Sequence, residues 1–354
     1  MELVSLAMFD RALVAVRDFL AVTASDRVLI VEDGTLGPRL TQAFATASRA
    51  QGAETVVVTY QPRNFISMKE FGLFAEAARY PDRNLIPAAM REAMICSDVI
   101  VVLNSDIQFV FDVRFAEINV GSRRIALIPY LDEDSFLRLM TGGVAEADSV
   151  QAFTEKIGGI IKRTREAVIK STAGTNLRME IGNHRINVHG WYGATGRGTP
   201  GMAYWPGGQV STVPNAHTAE GVFVIDRSAN VPEFRQLREP ITFRVEKGYV
   251  VAVEGGHEAT LMRRFLEGRD DGGEAYHVTE LGLGTNPRCK QTGIAGPAED
   301  THTLGCVSLA LGTDVHLGGD TLAGCHIDMT MASACLTVDG KPLVKDGAFL
   351  PDVS

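Results

Sequence analysis

Four short apolar runs punctuate the first 130 residues and constrain the fold more than anything else in the chain. They are RVLIVED (27–33), ETVVVTY (54–60), DVIVVLN (98–104) and RIALIPY (124–130). Each is rich in β-branched residues and almost free of polar alternation, which suits strands buried on both faces of a sheet. Helical patterns lie between them, around 37–50, 87–96, 109–119 and 134–141. Strand–helix alternation of this kind requires right-handed crossovers and predicts a doubly wound parallel α/β sheet. A longer helix over roughly 148–171 is expected to close this first domain, set at residues 1–171. The turn after the first run, EDGTLGPRL, holds Gly34 and Gly37 but not the packed glycines of a dinucleotide cradle, so the sheet alone does not make a nucleotide binder.

The texture changes from about residue 172. Glycines become dense, strands shorten, and turn signals such as GRGTPG, WPGG and DGG recur, which predicts an α+β domain over 172–354. All eight histidines fall between His184 and His326, so the chemistry is expected in this second half. A chain of 354 residues fits two domains, and a net charge of −9 with no dense Lys/Arg run argues against nucleic-acid partners. No apolar stretch approaches the length of a membrane span, and the N-terminal segment reads as an amphipathic helix rather than a signal peptide. Five cysteines without a CxxC pair read as reduced thiols in a cytoplasmic protein.

Several stretches carry residues suited to chemistry. In GCHIDMTM (324–331), strand alternation puts His326 and Asp328 on one face, as two ligands for a divalent ion. In HVTELGLGTNP (277–287), Glu280 stands in a glycine-rich apolar stretch that should be buried, where a carboxylate needs a partner or a metal. His277 beside it reads as a solvent-facing strand residue. Glu220 enters the core strand of EGVFVID and is a candidate ligand or general base. His316 opens a glycine-rich loop close in sequence to the HxD strand, and Ser308 is the polar residue of an apolar small-residue run. Tyr204 and Trp205, in AYWPGG, are candidates for a substrate wall. No GxSxG, HExxH or Walker motif is present, which leaves a metal as the simplest source of catalytic power.

Taken in order, PGGQVSTVPNAHTAEGVFVID, VEKGYVVAVEGGHEATLMRRFL, HVTELGLGTNP, LGCVSLALG and GCHIDM resemble the metallo-aminopeptidase family of aminopeptidases T and S. They also resemble its relative, 2,5-dihydroxypyridine 5,6-dioxygenase, whose length and α/β first half look closer to this chain. The aminopeptidase resemblance implies a dinuclear site, with Glu220, Glu280, His326 and Asp328 at ligand positions and Ser308 where a further ligand histidine is expected. The dioxygenase resemblance implies one Fe(II) on two histidines and an aspartate. His326 and Asp328 match two of these, while the other histidine falls on Glu280. That enzyme's acid–base histidines fall on Asn104 and Tyr204.

The expectation is therefore a metalloenzyme with one divalent ion (Zn, Mn or Fe(II)) on Glu280, His326 and Asp328. Glu220 is a fourth ligand or base, with Tyr204 and His316 as further catalytic candidates. Hydrolysis of a small amide or peptide-like substrate is the first expectation, since it needs only a metal-bound water and a carboxylate. Ring-cleaving oxygenation of a hydroxylated pyridine or related aromatic is the alternative, and a metal-free binding protein is the third. A small-molecule substrate, a homo-oligomer and no membrane partner complete the expectation.

Overall fold

The computed structural model describes residues 5–34, 38–60, 86–103, 115–118, 121–128, 131–192, 197–230, 234, 236–269, 272–292 and 297–351. Its contacts divide into two compact units. One takes the described residues up to Ala152 together with His189–Gly207, and the other takes Phe153–Val188 and Gly208 onward. The boundary is thus not a single cut at 171/172: the strand Gly201–Tyr204 completes the first unit's sheet, which only a returning segment of chain can do.

In the first unit, β1 (Arg27–Glu32), β2 (Glu54–Thr59), β3 (Val99–Leu103) and β4 (Arg124–Leu127) pair in parallel. The order is β2-β1-β3-β4, as in doubly wound sheets whose direction of winding reverses beside β1. Leu29, Val31, Ile100, Val102, Ile125 and Leu127 share a core with Met90 and Met94 of the helix Ala88–Ile95. The expectation of burial on both faces holds for β3, buried along its whole length, but not for β2. As an edge strand, β2 leaves Val56 50% and Val57 36% exposed. The expected helix over 109–119 falls largely outside the described residues, as does Asn104; within it Phe115–Ile118 is helical.

The helix expected over 148–171 instead runs from Gly143 to Ile161, and the chain is extended again by Glu166. β5 (Glu166–Ser171), β6 (Asn176–Glu180) and β7 (Ile186–His189) follow, and β8 (Gly201–Tyr204) returns to pair in parallel with β4. The second unit continues with β9 (Gln209–Thr212), β10 (Glu220–Ile225), β11 (Ser228–Ala229), β12 (Ile241–Glu246) and β13 (Tyr249–Glu254). After the helix His257–Glu267 come β14 (Val278–Gly284), β15 (Val307–Gly312), β16 (His326–Thr330), β17 (Ala334–Val338), β18 (Lys341–Lys345) and β19 (Ala348–Phe349).

These strands build two sheets, in the orders β13-β12-β10-β6-β5-β17-β18-β19 and β11-β16-β15-β14-β9-β7. One core joins them, with Ile169, Leu177 and Phe223 from the larger sheet and Leu281, Leu309, Ile327 and Met329 from the smaller. The period of two along a strand then decides what lies on the other side of the smaller sheet. Alternate positions carry His326, Asp328 and Thr330 on β16, Ser308, Ala310 and Gly312 on β15, and Glu280 and Gly282 on β14. That face is polar and yet buried, an arrangement that costs free energy unless something satisfies it. Among the described residues no helix is long and apolar enough to cross a membrane.

Candidate metal centre

The register of the three central strands assembles the site. Glu280 pairs with Ala310 and Ala310 with Asp328, so the two carboxylates flank a methyl group on one row. His326 pairs with Gly312 on the next row. The middle strand therefore offers almost no side-chain volume between the three polar residues. Gly312 has φ +102°, and a Cβ there would lie 2.0 Å from the Cys325 carbonyl oxygen, so only glycine serves.

One ligand atom each from Glu280, His326 and Asp328 lies within 4.8 Å of the others. His326 Nε2 is 3.3 Å from Glu280 Oε2 and 3.4 Å from Asp328 Oδ1. Its Nδ1 lies 2.8 Å from the Thr313 carbonyl oxygen, which can only accept, so the proton sits on Nδ1. Histidines that ligate metals are commonly held in this way, with the second ring nitrogen bonded to a carbonyl and the first left for the ion. Asp328 is steadied in turn by the Asn230 amide, whose Nδ2 donates to Oδ2 at 2.8 Å.

Burial and charge act against one another within the cluster. Burial pushes the Glu280 carboxyl up, and the Asp328 charge adds to this against the lowering effect of His326. Burial opposes a charged His326, but Asp328 and Glu280 outweigh it and hold the imidazole well above its ordinary range. Two carboxylates and one imidazole form a hard, mostly oxygen donor set that fits a divalent first-row ion.

The other expected residues are distributed differently. His316 reaches the cluster: its ring meets that of His326 edge to face, centroids 4.6 Å apart. It sits in the short helix Val315–Leu317, held by Arg185, which donates to the His316 and Leu317 carbonyls, and by Asn187. Asp314 closes the same loop by accepting from the Thr321 amide at 2.7 Å. Glu220 does not join. It is exposed at the start of β10, in the larger sheet, and accepts from the Lys247 amide at 2.8 Å. It does stand where a loop enters a core strand, but as that strand's exposed first residue, paired with Arg178. Ser308 lies on the site face one row beyond Ala310. Tyr204 and Trp205 belong to the first unit: Tyr204 is half-buried near His189, and Trp205 is fully buried, its indole N–H donating to the Trp191 carbonyl.

His277 is not solvent-facing. It is 5% exposed, with Nδ1 3.0 Å from the Thr321 hydroxyl, and burial pulls its pKa down to about 4, with His217 adding to the effect. Asn230, Ala310 and the Thr313 carbonyl do not stand out in the sequence. The small-residue spacing of ALG on β15 is the visible trace of the second; the other two act through a short edge strand and a backbone atom, which leave no pattern.

The chain is thus a two-unit α/β protein whose antiparallel half presents a largely buried His–carboxylate cluster able to hold a metal ion. The family model for 2,5-dihydroxypyridine 5,6-dioxygenase matches residues 8–351, and the chain belongs to that family. The 2,5-dihydroxypyridine 5,6-dioxygenase of Pseudomonas putida is 27% identical over 197 residues, 53% of this chain and 55% of that protein, so the match spans about half its length. The solved structure of 2,5-dihydroxypyridine dioxygenase from Pseudomonas putida superposes with a TM-score of 0.76 at 21% identity, covering 97% of this chain and 96% of that one. Wild-type AmpT from Thermus thermophilus gives a TM-score of 0.67 at 15% identity, covering 97% and 99%. At these identities the two structures establish a shared fold. The family match overturns the expectation of a hydrolase: the resemblance to aminopeptidases lies in the scaffold.

Proposed function

We propose that this chain is a mononuclear Fe(II) dioxygenase that cleaves the ring of a hydroxylated N-heteroaromatic, with Glu280, His326 and Asp328 as its metal ligands. The observation that carries it is the direction of His326. With Nδ1–H committed to Thr313, its Nε2 is aimed between the buried Glu280 and the partly buried Asp328, where a divalent ion would satisfy all three groups. Fe(II) bound there supplies the one-electron chemistry through which dioxygen reacts with an aromatic ring. Family membership supports this reaction class over hydrolysis.

The chain's own residues then hold and shield. Asn230 fixes Asp328, and Thr313 fixes His326. The small residues of β15 keep the space between the ligands open. His316, half-buried and edge-on to His326, stands where a proton can be passed to or from a bound hydroxyl group. One imidazole with two carboxylates, in place of the two histidines and one aspartate implied by the dioxygenase resemblance, makes the site harder and more negative. Metal-stripped protein reconstituted anaerobically with Fe(II), Mn(II) or Zn(II) and offered hydroxypyridines in an oxygen electrode tests the reading. Fe(II)-dependent uptake with loss of the ring absorbance is expected. Metal binding without uptake for any hydroxylated heteroaromatic would overturn it.

A further inference from the structure

Asn230 does more than hold Asp328. It is 2% exposed and lies beyond β11, where its backbone N–H donates to the Asp328 carbonyl at 2.9 Å. Its side-chain Nδ2 donates to Asp328 Oδ2, and since a carboxylate only accepts, the orientation of the amide is fixed. The amide oxygen consequently points the other way. Asn230 Oδ1 is buried and accepts no hydrogen bond among the described residues. The strand just before it is itself pinned, because the Ser228 hydroxyl donates to Asp300 and pairs with Thr330 Oγ1 at 2.7 Å. A rigid, buried acceptor that touches a metal ligand and lacks a donor is expensive unless a donor arrives.

We infer that Asn230 Oδ1 is a specificity determinant: it accepts a hydrogen bond from an N–H or O–H group on the substrate beside the metal. In a hydroxypyridine the donor is the ring N–H of the lactam tautomer, or a ring hydroxyl. The inference rests on the dioxygenase reading for its substrate class. Sites that hydrogen-bond a substrate group discriminate strongly against analogues lacking it, because their own polar atom is then left unpaired. The same residue couples recognition to the metal, since one amide serves Asp328 through nitrogen and the substrate through oxygen.

Titration calorimetry on protein loaded anaerobically with redox-inert Zn(II) separates binding from turnover. The probes are a hydroxy-2-pyridone against its ring-oxygen isostere, a hydroxy-2-pyranone, and the same pyridone against its hydroxyl O-methyl ether. The wild type is expected to prefer one donor over its donor-less partner by about 30-fold or more. The pair that shows the preference identifies the ring N–H or the hydroxyl as the donor. In Asn230→Ala the preference should fall to within about threefold, while the metal dissociation constant, measured separately, reports the loss of support to Asp328. Asn230→Ser, whose hydroxyl still donates to a carboxylate, serves if the alanine variant fails to hold metal. No donor preference in the wild type, or an unchanged preference in a metal-loaded variant, overturns the inference. Donor preference without oxygen uptake would leave the inference standing and sink the dioxygenase reading; uptake without preference would do the reverse.

Discussion

Glu280→Gln separates the cost of the cluster from its purpose. The ligand atoms of Glu280 and Asp328 lie within 4.8 Å of one another. At an effective dielectric of about 20, two full charges at that separation repel by roughly 3.5 kcal/mol, and a closer approach raises the figure. His326 relieves part of this in the metal-free protein, so the amide substitution should stabilise the apo form by about 1–2 kcal/mol or leave it unchanged. The metal-bound form should behave oppositely. An ion at about 100 times its Kd stabilises the wild type by about 2.7 kcal/mol, or roughly 5–10 °C in Tm for a unit of 150–250 residues. Glu280→Gln should lose most of that shift, because a neutral amide is a weak ligand. Thermal melts with chelator and with Fe(II) or Mn(II), run anaerobically on both proteins, measure the two effects together. A variant that is several kcal/mol less stable without metal would show that the carboxylate is structural. A wild-type metal shift in the variant would remove Glu280 from the ligand set.

Three further outcomes follow from particular contacts. Ala310→Val places two methyl groups between Glu280 and Asp328; overpacking should cost about 1–3 kcal/mol, and metal content by plasma emission should fall sharply in protein that circular dichroism shows to be folded. His277 is neutral in the folded state with its pKa pulled down to about 4, so its contribution is complete above the unfolded-state pKa and is lost as pH falls toward 4. Wild type should lose about 2 kcal/mol between pH 8 and pH 5 that His277→Gln retains, read by urea unfolding at the two pH values, and parallel losses would contradict the assignment. His316→Gln should leave metal affinity within about threefold while lowering kcat about 100-fold and removing one limb of the pH–rate profile; an unchanged profile would show that His316 only packs against His326.

Much of this architecture is legible in the sequence because it rests on period and adjacency. The apolar runs of β1, β3 and β4 can hardly be anything but buried parallel strands, and HxD alternation by itself places His326 and Asp328 on one face. Glu280 stands out because a carboxylate in a glycine-rich apolar strand has few reasons to be there. What escapes depends on pairing between distant segments. Glu220 and Glu280 are both ligand candidates in sequence, and only the sheet order shows one at an exposed strand end and the other facing Asp328 across Ala310. The exposure of β2 follows from its edge position, which composition does not encode. His277 reads as a surface residue because its partners, Thr321 and Asp314, come from a loop more than 30 residues away. The family escapes for a related reason: AmpT and 2,5-dihydroxypyridine dioxygenase share this scaffold, and the ligand positions read from sequence lean toward the hydrolase reading that the family match overturns.

The central claim is that one divalent ion sits on Glu280, His326 and Asp328. Crystals of protein reconstituted anaerobically with Fe(II), measured on both sides of the iron absorption edge, test it directly. The account predicts a single anomalous peak per chain in the second unit, at bonding distance from His326 Nε2 and from one or more oxygens of each carboxylate. A peak that omits any of the three residues, a second fully occupied ion beside Ser308, or no iron at all in protein that consumes oxygen would contradict it.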